Sequence, residues 1–364
     1  MMMKLLFLSR SNSRDHTAYT HRLSMLQRGL KQLGVETGFY YLGDRDITSH
    51  TMLPISIPIL VRVFRKYDLI HAGGEPCAFV ANICKPFHCR RVIFDVHGDR
   101  IREVSEERRI KNQTKKLGPF PLTKAFIQGM GATWLSDYYI PVSKPLKRLI
   151  MNRGVPEQRI TLIRNGVDLD IFTSGKKSAR GKFNITYAGK FQSYQAIDDF
   201  IQAATMIQNS NVRFRIIGFS PEDNSRKEVI RNRLGGRVEL IDEAPKDVLV
   251  AYLRESDVLV IPRRRSHVTI VALPTKFAEY IAMGKPVIVS DVDETAQFVQ
   301  EYKCGLVYRN GAKGLKSAFV QMIECSGESL QEMGQNGRRL AEKVFDWNII
   351  CYQYYHLLKN KLSL

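Results

Sequence analysis

Short apolar runs recur along the chain, separated by polar-apolar stretches with helical spacing, and they fall into two series. The first holds residues 4–9, 36–42, 68–72, 91–96, 138–142 and 159–163, and the second holds 185–188, 213–217, 237–241, 257–261, 286–290 and 305–308. Strand-helix alternation of this length predicts parallel sheets with helices on both faces, the α/β class. After the first run, Leu23, Leu26, Leu30 and Leu33 make one stripe at steps of three and four that stops at Gly34, a helix with a glycine end. Residues 173–182 (TSGKKSARGK) are polar and lack periodicity, which predicts a linker. The expected organisation is two doubly wound domains, 1–172 and 183–345, with a cleft between them. The aromatic stretch 346–364 is expected to form a helix that packs back on the first domain, the alternative being membrane contact through Trp347, Tyr352, Tyr354 and Tyr355. Ligands of open parallel sheets bind beyond the carboxyl ends of the strands, so the loops after each strand are where chemistry is sought.

Length and composition agree with this picture. A chain of 364 residues, 44% apolar, can bury two ordinary cores and is not disordered. Leu5 to Leu8 is too short an apolar core for a signal peptide, so a cytoplasmic location is expected. Met52 to Phe64, interrupted by Pro54, Pro58 and Arg62, falls short of the ~20 apolar residues of a membrane span. The six cysteines contain no CxxC pair and read as reduced thiols, and His88 beside Cys89 offers too few ligands for a metal centre.

Charge changes the picture more. Lys and Arg number 55 against 36 Asp and Glu, a net of +19. Nucleic acid, an anionic bilayer or a phosphorylated substrate would each suit such a surface, and so would a basic face that only meets water. No nucleic-acid module is recognisable, so no nucleic-acid partner is expected.

Two segments carry candidate chemistry. Ile160 to Phe172 reads ITLIRNGVDLDIF, in which Asn165-Gly166 is a turn dipeptide. Asp257 to Asp291 reads DVLVIPRRRSHVTIVALPTKFAEYIAMGKPVIVSD. There, Pro274-Thr275-Lys276 opens a helix through Phe277, Tyr280 and Ile281 that Gly284 stops. The free N–H groups and positive dipole end of that helix suit a diphosphate. Glu279, one turn in, can accept hydrogen bonds from two ribose hydroxyls.

Together these segments resemble the family 4 retaining glycosyltransferases, whose signature reads "I-P-N-G-V-D-x-x-x-F" where that family passes between its domains. The resemblance implies the GT-B fold, a nucleotide diphosphate sugar as co-substrate, transfer with retention, and no metal or other cofactor. It places Thr275 and Lys276 on the diphosphate and Glu279 on the ribose. The family's usual second carboxylate, eight residues before Glu279, is here Val271. Either Thr269, Thr275 or backbone groups hold the sugar in its place, or the chain resembles a divergent branch whose form reads "P-[ST]-K-x-x-E-Y", which is the favoured reading.

Ile185 to Phe200 (ITYAGKFQSYQAIDDF) resembles the family's "Y-x-G-[RK]-x-x-x-x-K-G" loop, whose cations meet the leaving diphosphate. Gly189 and Lys190 match, but Gln195 and Ala196 stand where lysine and glycine are usual. Arg263, Arg264 or Arg265 are candidates for the missing charge. FDVHGD at 94–99 resembles the strand-end histidine that lies beside the transferred sugar, a place that falls to His97. On the acceptor side the candidates are Arg14, His16 and Thr17 in the first loop, with Asp99 and Arg100. The stretch from Arg100 to Lys124 is dense in Arg and Lys, with Phe120 and Phe126 close by, and suits an anionic membrane or a solvated loop.

The expected function is therefore transfer of a sugar to an acceptor, lipid-linked or a glycan precursor, by a protein that is soluble or peripheral on the inner face of a membrane. The alternatives are a non-catalytic sugar-nucleotide or anionic-polymer binding protein, recognised by binding without turnover, and a sugar-nucleotide epimerase, recognised by donor conversion without acceptor.

Overall fold

The structure, a computed structural model, describes residues 3–10, 18–42, 53–111, 120–175 and 181–362. The chain divides into two compact units, Met1–Asn165 with Trp347–Leu364, and Gly166–Asp346. In the first unit, β1 (Lys4–Ser9), β2 (Glu36–Tyr41), β3 (Leu69–Gly73), β4 (Arg91–Val96) and β5 (Tyr138–Pro141) form one sheet in the order β2-β1-β3-β4-β5. Every pairing is parallel. The apolar run 159–163 is not a sixth strand. A 3-10 turn takes up Glu157–Arg159, and only Ile160 bridges to Tyr139. Ile160 and Ile163 are buried, and the Thr161 and Ile163 N–H groups donate to the Tyr139 and Pro141 carbonyls at 3.0 and 3.1 Å, so the run packs along β5 without forming a strand of its own.

The Ala18–Gln32 helix and the C-terminal Trp347–Lys361 helix cover one face of this sheet. Leu23, Leu26 and Leu30 from one, and Ile350, Tyr354 and Leu358 from the other, share a core with Leu5, Phe7 and Ile93. Burying a leucine fully contributes about 1.5–3 kcal/mol, so this stripe is enough to hold the end of the chain in the first unit. The two helices approach closely because Gly29 has no Cβ, and one added there would overlap the Cys351 side chain.

The second unit contains β6 (Phe183–Ala188), β7 (Val212–Phe219), β8 (Val238–Asp242), β9 (Val258–Ile261), β10 (Val287–Ser290) and β11 (Gly305–Tyr308), in the order β11-β10-β9-β6-β7-β8. All of its pairings are parallel. The central strands are buried throughout because both faces are covered. Val287 and Val289 enter one core with Phe277 and Phe298, while Ile288 points into the other with Phe200 and Phe319.

The units part between Asn165 and Gly166, ahead of the linker expected at 173–182. Val167 and Phe172 already belong to the second core. The Val167 N–H donates to the Phe345 carbonyl at 2.7 Å, and Arg338 Nη1 donates to the Phe172 carbonyl at 2.8 Å. Burial overrides the expectation there, since these two apolar side chains are packed before the polar stretch begins.

Each sheet reverses its strand order once, between β1 and β3 and between β6 and β9. Loops leaving the carboxyl ends of such neighbours diverge to opposite faces, and the space between them is where ligands of open α/β sheets sit.

Candidate functional site

In the second unit this switch point is flanked by Gly189-Lys190 after β6 and by Pro262-Arg263-Arg264 after β9. Gly189 has φ +145° and Gly218, after β7, has φ +114°. A Cβ on Gly218 would stand 2.8 Å from the Gly189 carbonyl oxygen, so the two loops can cross only as glycines. The Thr275–Ala282 helix is pinned to the same edge by Tyr280. Its buried hydroxyl accepts from the Ala188 N–H at 2.8 Å and donates to the Ala188 carbonyl at 3.0 Å. The last residue of β6 and the helix are thereby one rigid piece.

The helix start is open, because Pro274 at the N-cap has no side chain to cap the first turn. Its N–H groups and dipole end remain available to an anion. Lys276 folds back so that its ammonium lies 4.6 Å from the Tyr187 ring centroid, over the space that the missing Gly189 side chain leaves. Burial, with the nearby Arg263 guanidinium, lowers the Lys276 pKa to about 7. Glu279 follows three residues on, on the same helical face, opposite the buried Phe277 and Ile281. Burial raises its pKa, against the opposing pull of Lys246 and Lys276. Its carboxylate makes no hydrogen bond or ion pair among the described residues. Gly189, Thr275, Lys276 and Glu279, separated by up to 90 residues, therefore form one cluster.

The other candidate donor residues are placed differently. Lys190 is exposed and reaches Glu243 at 3.5 Å. Arg263 is buried, and its Nη1 is taken by Asp293 and by the Ala272 carbonyl at 2.8 Å. Asp293 also caps the helix that begins at Glu294, so Arg263 acts as an internal strut and can reach a ligand only through its field. Arg264 lies on the surface, 3.2 Å from Asp198. Thr269 is not free to replace the missing carboxylate. Its hydroxyl donates to the Arg264 carbonyl at 2.7 Å and closes a capping box with Ser266. Gln195 and Ala196 are buried, with the Ala196 N–H on the Pro262 carbonyl at 3.2 Å, so this position presents no side chain to solvent. Lys246, unmarked in the sequence reading, is the extra cation near Glu279.

In the first unit, His97 follows β4 with Nε2 3.0 Å from Asp95 Oδ2, and its ring meets Tyr19 edge-on at 4.9 Å. Asp95 is fully buried and gathers Arg22 and His71 as well. Burial alone would raise the Asp95 pKa, but Arg22 and the two histidines outweigh it and hold the carboxyl well below its usual range. Arg22 also donates to the carbonyls of Ile163 at 3.0 Å and Arg164 at 2.6 Å, and to Asn165 Oδ1 at 3.3 Å. The Asn165 of the turn dipeptide is thus part of this network.

Asp99, expected on the acceptor side, is buried and paired with Arg153 at 2.8 Å and Arg102 at 3.2 Å. That is a structural placement, since both flanking guanidinium groups already use it. The Arg100 N–H donates to Glu75 Oε1 at 3.0 Å. Glu75, which opens the helix after β3, has its pKa raised by burial. It went unmarked because nothing near it in sequence distinguishes it. Arg14, His16 and Thr17 lie outside the described residues.

Comparison with known proteins agrees with this layout. The family model described as Glycosyltransferase Family 4 matches residues 21–171, and the one described as Glycosyl transferases group 1 matches 182–325. The chain is 28% identical over 222 residues to an uncharacterised glycosyltransferase of Methanocaldococcus jannaschii, covering 59% of this chain and 57% of that protein. It is 23% identical over 229 residues, 61% of this chain and 56% of the relative, to WcaL of Salmonella typhimurium, a glycosyltransferase assigned to colanic acid biosynthesis. The matched part thus spans a little over half the length of these relatives. Anabaena HepE, solved in complex with UDP, superposes with a TM-score of 0.75 over 98% of this chain and 99% of that one, at 16% identity. One glycosyltransferase domain model thus matches in each unit, and the fold similarity to HepE runs over nearly the full length of the chain.

Proposed function

We propose that the protein transfers a sugar, with retention, from a nucleotide diphosphate sugar to a hydroxyl of a cell-surface glycan precursor, and that it needs no metal ion to do so. One observation carries this reading. An uncapped helix start, a half-buried lysine beside a glycine loop and an unpaired carboxylate one turn on form a single cluster at the switch point of the second sheet. The diphosphate would lie across the N–H groups of Thr275 and Lys276, with the Lys276 ammonium and the exposed Lys190 side chain meeting its charge. Glu279 would accept the two ribose hydroxyls. HepE, a fold neighbour, binds UDP, which supports uridine as the base to try first. The similarity to WcaL, assigned to colanic acid biosynthesis, supports a role in glycan biosynthesis.

In the transfer, the bond from the anomeric carbon to the diphosphate oxygen breaks while the acceptor oxygen bonds to the same face of that carbon. The acceptor proton passes to the departing phosphate oxygen. Stabilising the charge that builds on the leaving group is the main contribution of such a site. His97, fixed from behind by Asp95, is assigned to the sugar side, and Arg14, His16, Thr17 and Arg100 to the acceptor side.

A thermal-shift screen against UDP, GDP, ADP and their sugars tests the reading, since a specific ligand raises the melting temperature by mass action. One nucleotide family should stabilise the protein, and Glu279→Ala should remove that response without altering the far-UV spectrum. A variant that responds like the parent would overturn the ribose assignment. A specific shift with no turnover across sugar and lipid-linked acceptors would leave binding without transfer.

A further inference from the structure

We propose that Lys276 is a covalent modification site, whose amine accepts the acyl group of a small acyl phosphate. Lysine is rarely buried without a paired charge. The Lys276 side chain is half-buried and makes no hydrogen bond or ion pair among the described residues. Its ammonium lies 4.6 Å from the Tyr187 ring centroid, in the space that a Cβ on Gly189 would fill. Lys190, in the neighbouring loop, is the opposite case, exposed and within 3.5 Å of the Glu243 carboxylate.

Three elements supply the charged and titratable groups around Lys276. Tyr187 comes from β6, Arg263 from the segment after β9, and Glu279 from the same helix. Arg263 is tied to Asp293 and to the Ala272 carbonyl, so its positive charge cannot swing away. Glu279 opposes it, but Lys246 draws on the same carboxylate. Desolvation beside a second, fixed cation is the setting that makes a lysine nucleophilic at neutral pH. Burial, with the Arg263 charge beside it, brings the Lys276 pKa down to about 7. At pH 7.5 about three quarters of Lys276 is then the free amine, against roughly 0.1% of an ordinary lysine.

The surroundings also select the electrophile, and here the inference rests on the diphosphate reading of the same helix start. The Arg263 field, the exposed Lys190 and the uncapped N–H groups all attract a phosphate, which concentrates acyl phosphates around Nζ. In the transfer, the amine lone pair attacks the carbonyl carbon and the N–C bond forms. The C–O bond to phosphate breaks, phosphate leaves with that electron pair, and the proton lost from nitrogen passes to it. The product is an uncharged amide. Acylation thereby removes the cation assigned to the diphosphate and would switch the donor site off.

The test needs neither turnover nor a variant. The full chain is exposed to acetyl phosphate for timed intervals, and each lysine is followed by peptide mass spectrometry. At pH 7.5 Lys276 should be acetylated about tenfold or more faster than Lys190. Its rate should level off above about pH 7, where an ordinary lysine keeps gaining reactivity up to about pH 10. With p-nitrophenyl acetate, which carries no phosphate, the preference for Lys276 should shrink. The thermal response to UDP should fall in step with acetylation of Lys276. Acetylation of Lys276 no faster than that of Lys190 overturns the proposal. An equal preference with the neutral ester overturns the acyl phosphate as the source, and a full UDP response from fully acetylated protein overturns the switch. A protein that is selectively acetylated at Lys276 but never shifted by UDP upholds the modification site and refutes the donor reading instead.

Discussion

Arg22 and Asp95, 73 residues apart in the chain, close a two-pronged ion pair in the first unit, with Nε to Oδ2 at 2.9 Å and Nη2 to Oδ1 at 3.0 Å. Neither side chain meets solvent. The same guanidinium reaches the carbonyls of Ile163 and Arg164, and the same carboxylate stands behind His71 and His97. One pair thus ties the first helix, the end of β4, the turn at Asn165 and the candidate histidine together.

Removing one partner leaves the other as an unpaired buried charge, which is strongly destabilising. Arg22→Ala should therefore lower stability by about 3–5 kcal/mol, read as a fall in the urea midpoint at unchanged slope. A variant as stable as the parent would show that the pair contributes nothing.

His71 predicts a pH dependence. It is buried between Tyr354, whose hydroxyl lies 2.7 Å from Nδ1, and Asp95, 3.1 Å from Nε2. Burial lowers its pKa in the folded chain below the ordinary value of about 6.5. The unfolded chain then binds the proton more readily, so stability is full above about pH 6.5 and is lost as pH falls from there through the folded value. His88, also lowered by burial, acts in the same direction. Asp95, whose pKa is depressed, loses its contribution only at more acidic pH. Denaturant midpoints should fall on acidification through this window, and His71→Gln with His88→Gln should flatten the slope. An unchanged slope would mean that other groups control it.

Tyr280→Phe tests the pin between the second sheet and its helix. The change deletes a hydroxyl bonded to both the N–H and the carbonyl of Ala188, leaving buried backbone groups unsatisfied at a cost of about 1–3 kcal/mol. The thermal response to UDP should shrink with it, because the helix start is no longer held against Gly189. Loss of stability with an intact response would separate packing from binding.

Lys276, with a pKa near 7 because of burial, should couple diphosphate binding to proton uptake. The protonated ammonium is the form that pairs with the anion, so UDP affinity should decline as pH rises above about 7. Lys276→Met should bind about tenfold or more weakly, the size of a lost charge-assisted bond, and calorimetry should show only the nucleotide's own pH dependence. Equal pH profiles for the two proteins would place Lys276 outside the diphosphate site.

Local pattern carried most of what was legible before the fold was known. The apolar runs marked the eleven strands among the described residues, most clearly the central ones, which are buried on both faces, while the run at 159–163 marked packing without a strand. The stripe at Leu23, Leu26 and Leu30 marked its helix because those side chains share one side. Pro274 to Tyr280 marked the donor helix because an open N-terminus, a cation and a carboxylate are all written within one segment. Tertiary structure alone decided the rest, since those outcomes depend on partners far apart in the chain. It showed that Arg263 and Asp99 are committed to internal ion pairs and that Thr269 is spent on a cap. It joined Arg22, His71, Asp95 and Tyr354 into one network, and it left Trp134 in water while Trp347 is buried. A sequence states which groups are available, but desolvation and pairing determine which of them remain free, and both are set only when distant segments pack.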